Sequence, residues 1–171
     1  MNTKNIKFPP LETERINLRI LTLDNAEEVF LHFSDINITR FLDIGPCKNI
    51  KEAEEIIQYH MKDSGCWWGM YEKNGEKFIG TIGFHYLRRN GDLIAEVGFD
   101  LCKDYWGNGL MSEAMNEVIL FGFSQMGLDI IDATVDPKNV RSIKLIRKLG
   151  FTEDLEHKDN LLYFYLKKER E

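Results

Sequence analysis

The strongest constraint on this chain is a change of hydrophobic period near Gly65. In Glu14–Ile20 the apolar residues Ile16, Leu18 and Ile20 alternate with Arg15, Asn17 and Arg19, as in a half-buried strand. Two helical stretches follow. Asp24 with Glu27 reads as a capping box ahead of Ala26, Val29, Phe30 and Phe33; Asn49 with Glu52 caps a second stripe of Ala53, Ile56, Ile57, His60 and Met61. His60 on that stripe reads as a packed core residue. After Gly65 the period becomes two. Trp67–Glu72, Asn74-Gly75 and Phe78–Leu87 form a hairpin signal, because Asn-Gly supplies the positive φ angles of a tight turn. Asn90-Gly91 then leads into Leu93–Leu101, where Leu93, Ala95, Val97, Phe99 and Leu101 point one way and Ile94, Glu96, Gly98 and Asp100 the other. The rest reads as a helix over Leu110–Met126, a strand over Ile130–Val135, a helix over Val140–Leu149 and a last strand over Leu161–Leu166. This order is α+β: an antiparallel meander followed by a β-α-β-α-β half.

Length and composition agree with one domain over 1–171, of which about 10–168 is the fold proper. With 171 residues, 43% of them hydrophobic, a chain can bury roughly 68–70% of its unfolded surface and needs neither disulfides nor a structural metal. Its longest apolar runs, such as Val118–Phe121 and Leu161–Leu166, fall far below the roughly 20 residues of a membrane-spanning helix. The start, MNTKNIKFPPLETER, lacks the apolar core of a secretory signal, so a cytoplasmic location is expected. A net charge of -6 lacks the basic footprint that nucleic-acid binding needs, so no nucleic acid and no membrane is expected as partner. Cys47, Cys66 and Cys102 read as reduced core thiols. Among His32, His60, His85 and His157 no two stand at metal-ligand spacing, and no metal is expected. Trp67, Trp68 and Tyr71 read as core and cleft wall.

The chemistry is concentrated in two segments. Phe99 to Ala114 is a strand, a turn through Trp106-Gly107-Asn108-Gly109, and a helix start at Leu110-Met111. The glycines let the backbone turn sharply and a ligand come close, while unpaired N–H groups of the first helical turn suit an anion. Gly107-Asn108-Gly109 has no third glycine and no Walker lysine after it, so it is neither a dinucleotide fingerprint nor a P-loop. The second segment, Val135 to Phe151, is a strand end, an X-Pro turn and a helix with Asn139 at its start and Ser142 one turn in.

Together these segments resemble the GCN5-related N-acetyltransferase superfamily, most nearly its branch that acetylates ribosomal-protein N-termini. The opening Glu12 to Arg19, the strand Ala95 to Phe99, the Tyr105-Trp106-Gly107-Asn108-Gly109 turn with Glu113-Ala114, and Asn139, Ser142 and Lys148-Leu149-Gly150-Phe151 carry the likeness, which spans nearly the whole chain. The chain departs from the superfamily's pattern at Asp104, where Gln or Arg is usual. The resemblance implies a mixed, mostly antiparallel sheet splayed at its centre, with helices on both faces and acetyl-CoA in the cleft. It implies that Phe99 and Leu101 pair with the pantetheine, that the amides of Trp106, Gly107, Asn108, Gly109, Leu110 and Met111 hold the pyrophosphate, that Asn139 touches the pantetheine arm, and that Ser142 lies near the sulfur.

Moving an acetyl group from a thioester to an amine needs a neutral amine, a polarised carbonyl and a proton for the leaving thiolate. Glu96 is the candidate base, since its side chain leaves the central strand opposite Val97 and Phe99, just before the glycine turn; Ser142 is the candidate acid. Glu113 reads as a favourable first-turn charge. The expected activity is direct transfer in a ternary complex to a primary amine, with a peptide or protein N-terminus as acceptor. A small cationic amine such as a polyamine or aminoglycoside is the alternative acceptor, and a non-catalytic acyl-CoA sensor the alternative function. A homodimer is left open.

Overall fold

The computed structural model describes residues 8–63 and 65–169. Strands β1 (Leu11–Glu12), β2 (Ile16–Ile20), β3 (Cys66–Glu72), β4 (Phe78–Asn90), β5 (Asp92–Leu101), β6 (Ile130–Val135), β7 (Thr152–Lys158) and β8 (Leu161–Lys167) form one sheet in the order β1-β2-β3-β4-β5-β6-β8-β7. The α-helices are α1 (Ala26–Phe33), α2 (Ile36–Thr39), α3 (Ile50–Lys62), α4 (Leu110–Ser124) and α5 (Val140–Lys148), with 3-10 turns at Leu23–Asn25 and Lys103–Tyr105. The sheet is antiparallel except where β5 and β6 run parallel. The α+β reading of the sequence therefore holds.

Two apolar layers sandwich the sheet. On one face Val97, Ala95 and Phe84 pack with Met111, Ala114, Met115 and Val118 of α4 and Ile143 and Ile146 of α5. On the other, Trp67 and Leu21 pack with Val29 and Phe33 of α1 and Ala53 and Ile57 of α3. Helices thus lie on both faces, as expected.

Four local expectations need correction. The first helix is capped by Thr22 rather than Asp24: Thr22 Oγ1 accepts from the Asp24 amide at 3.3 Å, and Asn25 Oδ1 accepts from the Thr22 amide at 3.0 Å. A 3-10 turn over Leu23–Asn25 precedes α1, so the cap falls one half-turn earlier. Met61 is 59% exposed, because at 100° per residue it lies at the edge of the Ala53–Ile57 stripe. In the turn between Glu72 and Phe78 positive φ is not carried by Asn74 with Gly75. The Glu72 amide donates to the Lys77 carbonyl, positive φ falls on Gly75 and Glu76, and the Lys73 amide is committed to the Arg15 carbonyl just before β2. Finally, β7 pairs along β8 where no strand is expected, since TEDLEHK has no alternating apolar pattern.

Candidate active site

The site begins where β5 and β6 part. They pair only through Ile94↔Ile130, Ala95↔Ile131 and Glu96↔Asp132; beyond Glu96, β5 stays with β4 and β6 stays with β8. The side of β5 facing β6 therefore has no strand partner from Val97 to Leu101, a stretch that includes Phe99 and Leu101, though the Leu101 carbonyl accepts from the Trp106 indole. Because β5 and β6 are parallel, the segments after both strands emerge at the same end, and each leads into a helix N-terminus, α4 and α5. The splay expected from the resemblance is present.

The turn into α4 is shaped for an anion. Gly107 and Gly109 have φ of 77° and 76°, which L side chains rarely adopt. Gly109 is the N-cap and supplies no capping side chain, so the first amides of α4, from Leu110 and Met111, keep their donors for something else. A negatively charged group also meets the positive end of the helix dipole there. Arg15 braces this turn: Nη1 donates to the Asn108 carbonyl at 3.0 Å, and Nε donates to Glu113 Oε2 at 2.8 Å. Glu113 also accepts from Thr13 Oγ1 at 2.6 Å and from the Arg15 amide at 2.7 Å. Burial opposes its charge, but these donors outweigh it and hold its carboxyl below the usual range. Glu113 is therefore a structural anchor as well as a first-turn charge. Trp106 is fixed too. Its indole donates to the Leu101 carbonyl at 2.7 Å, its amide donates to the Lys103 carbonyl at 3.1 Å, and the Arg141 guanidinium lies over its ring. The amide of Trp106 is thus already engaged, and the open donors begin at Gly107.

The face of β5 opposite α4 presents Glu96, Gly98 and Asp100 in a row, as period two dictates. Asp100 accepts from Thr81 Oγ1 at 2.6 Å and from the Thr81 amide at 3.1 Å, and its Oδ1 lies 2.5 Å from His32 Nε2 on α1. Burial alone would push the His32 imidazole down; the carboxylate beside it reverses this and lifts it to about 9. Glu96, half-buried, accepts from Thr134 Oγ1 at 3.4 Å, and its partner Asp132 on β6 is 1% exposed. Asp132 Oδ2 is held by Arg88 and by the Tyr163 hydroxyl at 2.6 Å. Asn139 caps α5 by accepting from the Ser142 amide at 3.3 Å, and Ser142 sits half-buried in the first turn of α5.

Every residue picked from the sequence thus lies on one of three neighbouring features: β5 from its last pair with β6 at Glu96 onward, the turn into α4, or the start of α5. Sequence reasoning missed Arg15, His32 and Asp132. Asp132 carried a signal, the one charge inside the IIDATV strand; the pairing of His32 with Asp100 spans 68 positions and had none. Cys47 and Cys66 are buried free thiols, and Cys102 is half-buried and free. Trp67, Trp68 and Tyr71 are buried. Among the described residues no group of three or more His, Cys, Asp or Glu side chains is placed to hold a metal ion, and no helix is long and apolar enough to cross a membrane.

Comparison with known proteins agrees with this geometry. Residues 15–152 match the family described as acetyltransferase (GNAT) domain. The chain is 36% identical over 151 residues to the uncharacterized N-acetyltransferase YoaA of Bacillus subtilis, covering 86% of this chain and 85% of that protein. It is 28% identical over 107 residues to the [ribosomal protein uS5]-alanine N-acetyltransferase of Escherichia coli, covering 63% of this chain and 55% of that protein. It is also 25% identical over 154 residues to the spermidine N(1)-acetyltransferase of the same organism, covering 89% and 75%.

Proposed function

The chain belongs to the acetyltransferase (GNAT) domain family and is an N-acetyltransferase, and from that premise we propose that it moves an acetyl group from acetyl-CoA to the α-amine of a peptide or protein N-terminus. The observation that carries this reading is the parting of β5 from β6 at Glu96↔Asp132, with two helix N-termini at the open end.

The residues present fit acetyl-CoA. The uncapped amides from Gly107 to Met111 suit the pyrophosphate, and the open side of β5 at Phe99 and Leu101 offers a strand edge to the amides of the pantetheine. Asn139 and Ser142, at the start of α5, flank the arm and the sulfur. Bound acetyl-CoA supplies an activated thioester carbonyl.

The chain's own task is to handle protons and position the amine. An α-amine with a pKa near 8 is neutral in roughly a tenth of molecules at pH 7, whereas a lysine-type amine is neutral in only about 1 in 10³. A single strand carboxylate is enough for the former. Glu96 accepts the amine's proton, directly or through water, and Ser142 protonates the departing thiolate. No side chain forms a covalent bond to the acetyl group, so both substrates occupy the cleft together.

A small cationic amine is the second reading, favoured by the net charge of -6 and by the likeness to a spermidine acetyltransferase over 89% of the chain. The test is free-thiol release from acetyl-CoA with a panel of N-terminal peptides, polyamines and aminoglycosides. Release only with an amine present is the expected result. Binding of acetyl-CoA with no release under any amine makes the chain a sensor instead.

A further inference from the structure

The face of the sheet that carries Glu96 also holds a pair of histidines to which the proposed chemistry gives no role. His85 on β4 is the direct cross-strand partner of Glu96, and on an antiparallel pair such partners share a face with Cβ atoms about 4.5–5.5 Å apart. Its ring lies over Gly98: a Cβ on that glycine would come within 3.0 Å of His85 Nε2 and 3.1 Å of Cδ2. Only glycine at position 98 leaves this space. The ring is thus held between Glu96 and the open stretch of β5.

The backbone is distorted at this point. Between His85↔Glu96 and Arg88↔Ile94, β4 carries one residue more than β5, a bulge. The next residue, Tyr86, has a φ of 51° although it is neither glycine nor asparagine. Positive φ at a bulky side chain is strained and collects at functional sites, and bulges re-aim the side chains beside them. Here the re-aimed side chain is His85.

The neighbours of His85 keep it neutral. His60 of α3 lies with its ring 4.8 Å from that of His85 and 4.1 Å from that of Trp67. Asp63 at the end of α3 comes no nearer than 3.9 Å to Nδ1, which is buried with no hydrogen-bond partner. Asp43, Asp100 and Glu96 are the other charged groups facing this ring. Burial outweighs the attraction of Asp63, Asp100 and Asp43 and holds the His85 imidazole below its ordinary value, while burial and the nearby His85 push His60 down to about 4. A neutral imidazole can accept a proton at its unprotonated nitrogen and later release it to water from the same atom.

We propose that His85 is the proton-relay residue of this site, taking up on Nε2 the proton that the acceptor amine gives to Glu96. This rests on the acetyl-transfer reading. In the step, the amine nitrogen bonds to the acetyl carbon, the carbon–sulfur bond breaks, the amine proton passes through Glu96 to His85, and the thiolate takes the Ser142 hydroxyl proton; His85 then gives its proton to water and Ser142 regains one from water, so the net transfer is from amine to thiol.

The test measures kcat/KM against pH for wild type, His85→Gln and Gly98→Ala, with the acetyl-CoA-induced rise in Tm as a control of cofactor binding. Wild type should show an acid inflection below pH 6.5. His85→Gln should lose about tenfold or more in kcat/KM at pH 7 and lose that inflection, with the Tm rise intact. Gly98→Ala keeps the histidine but forces its ring aside, so it should lose rate while keeping the inflection; full activity in that variant overturns the proposal even if His85→Gln does not fold. A His85→Gln rate within twofold of wild type, or an inflection that survives the substitution, also overturns it. A wild type that releases no thiol with any amine overturns the acetyl-transfer reading and this proposal with it, whereas an active wild type with a silent His85→Gln overturns the relay alone.

Discussion

His32 Nε2 lies 2.5 Å from Asp100 Oδ1, and this pair of a buried imidazole with a half-buried carboxylate ties α1 to the strand that carries Glu96. The imidazole is raised to about 9 in the folded chain against an ordinary value of 6.5. A group raised on folding stabilises fully below its unfolded pKa and loses that effect as pH rises through the folded one. The contribution of His32 is therefore complete near pH 6 and gone above pH 9. His32→Asn should lower Tm at pH 6, by about 2–4 °C for each kcal/mol lost, and the gap from wild type should close between pH 6.5 and 9. A gap of constant size across that window means that His32 contributes through packing, with no charge.

Glu96→Gln keeps the shape of the side chain and its contact with Thr134 while removing the base. Turnover should fall by roughly 10²–10⁴-fold, and the loss should shrink as pH rises and more of the amine is neutral by itself. The acetyl-CoA-induced rise in Tm should persist. A variant with wild-type rate at pH 7 on a good acceptor removes Glu96 from the chemistry.

Gly109→Val places a β-branched side chain at a φ of 76°. The added Cβ would be 3.6 Å from Arg15 Nη2, so space is available and backbone conformation is the obstacle. The turn should relax away from its present shape and the acetyl-CoA-induced rise in Tm should vanish. Undiminished acetyl-CoA affinity in a variant with wild-type circular dichroism moves the pyrophosphate site elsewhere.

What the sequence disclosed followed local pattern. The boundaries of β6 at Ile130 and Val135 and the start of α4 at Leu110 are read directly from period and glycine. Asn49 caps α3 as its spacing with Glu52 implies. The glycine turn was legible because its two positive φ angles demand glycine, whichever ligand it serves. What stayed hidden depends on the sheet. The cross-strand placing of His85 beside Glu96 depends on a bulge at Tyr86 that no residue type announces. The Arg15 clamp joins positions 98 apart, and β7 is an edge strand whose polar residues gave no alternation to read.

Ser142 and Asn139 should separate in kinetics. Ser142→Ala should slow transfer with little change in acetyl-CoA affinity, because its proposed duty is to the thiolate. Asn139→Ala should weaken acetyl-CoA binding, but it also removes the cap of α5, which typically costs about 1 kcal/mol. Asn139→Asp retains a capping oxygen, so a binding loss in that variant belongs to the ligand contact and not to the helix. The reverse pattern, with Ser142→Ala losing binding and Asn139→Asp losing rate, exchanges the two roles.

The acceptor is expected to be an N-terminal α-amine rather than a polycation, and charge location is the reason to rank them so. A net charge of -6 can concentrate polyamines near the molecule, but three of the carboxylates nearest the site already have partners. Asp100 is paired with His32, Asp132 with Arg88 and Tyr163, and Glu113 with Arg15 and Thr13. What they offer a second cation is correspondingly small, whereas an α-amine needs only one proton acceptor. The deciding measurement is kcat/KM for N-terminal peptides against spermidine and an aminoglycoside, at equal pH and at two salt concentrations. Peptides should be preferred, with weak dependence on salt. Preference for a polycation by more than about tenfold, falling steeply as salt screens the attraction, reverses the ranking and assigns the acceptor to the small cationic amines.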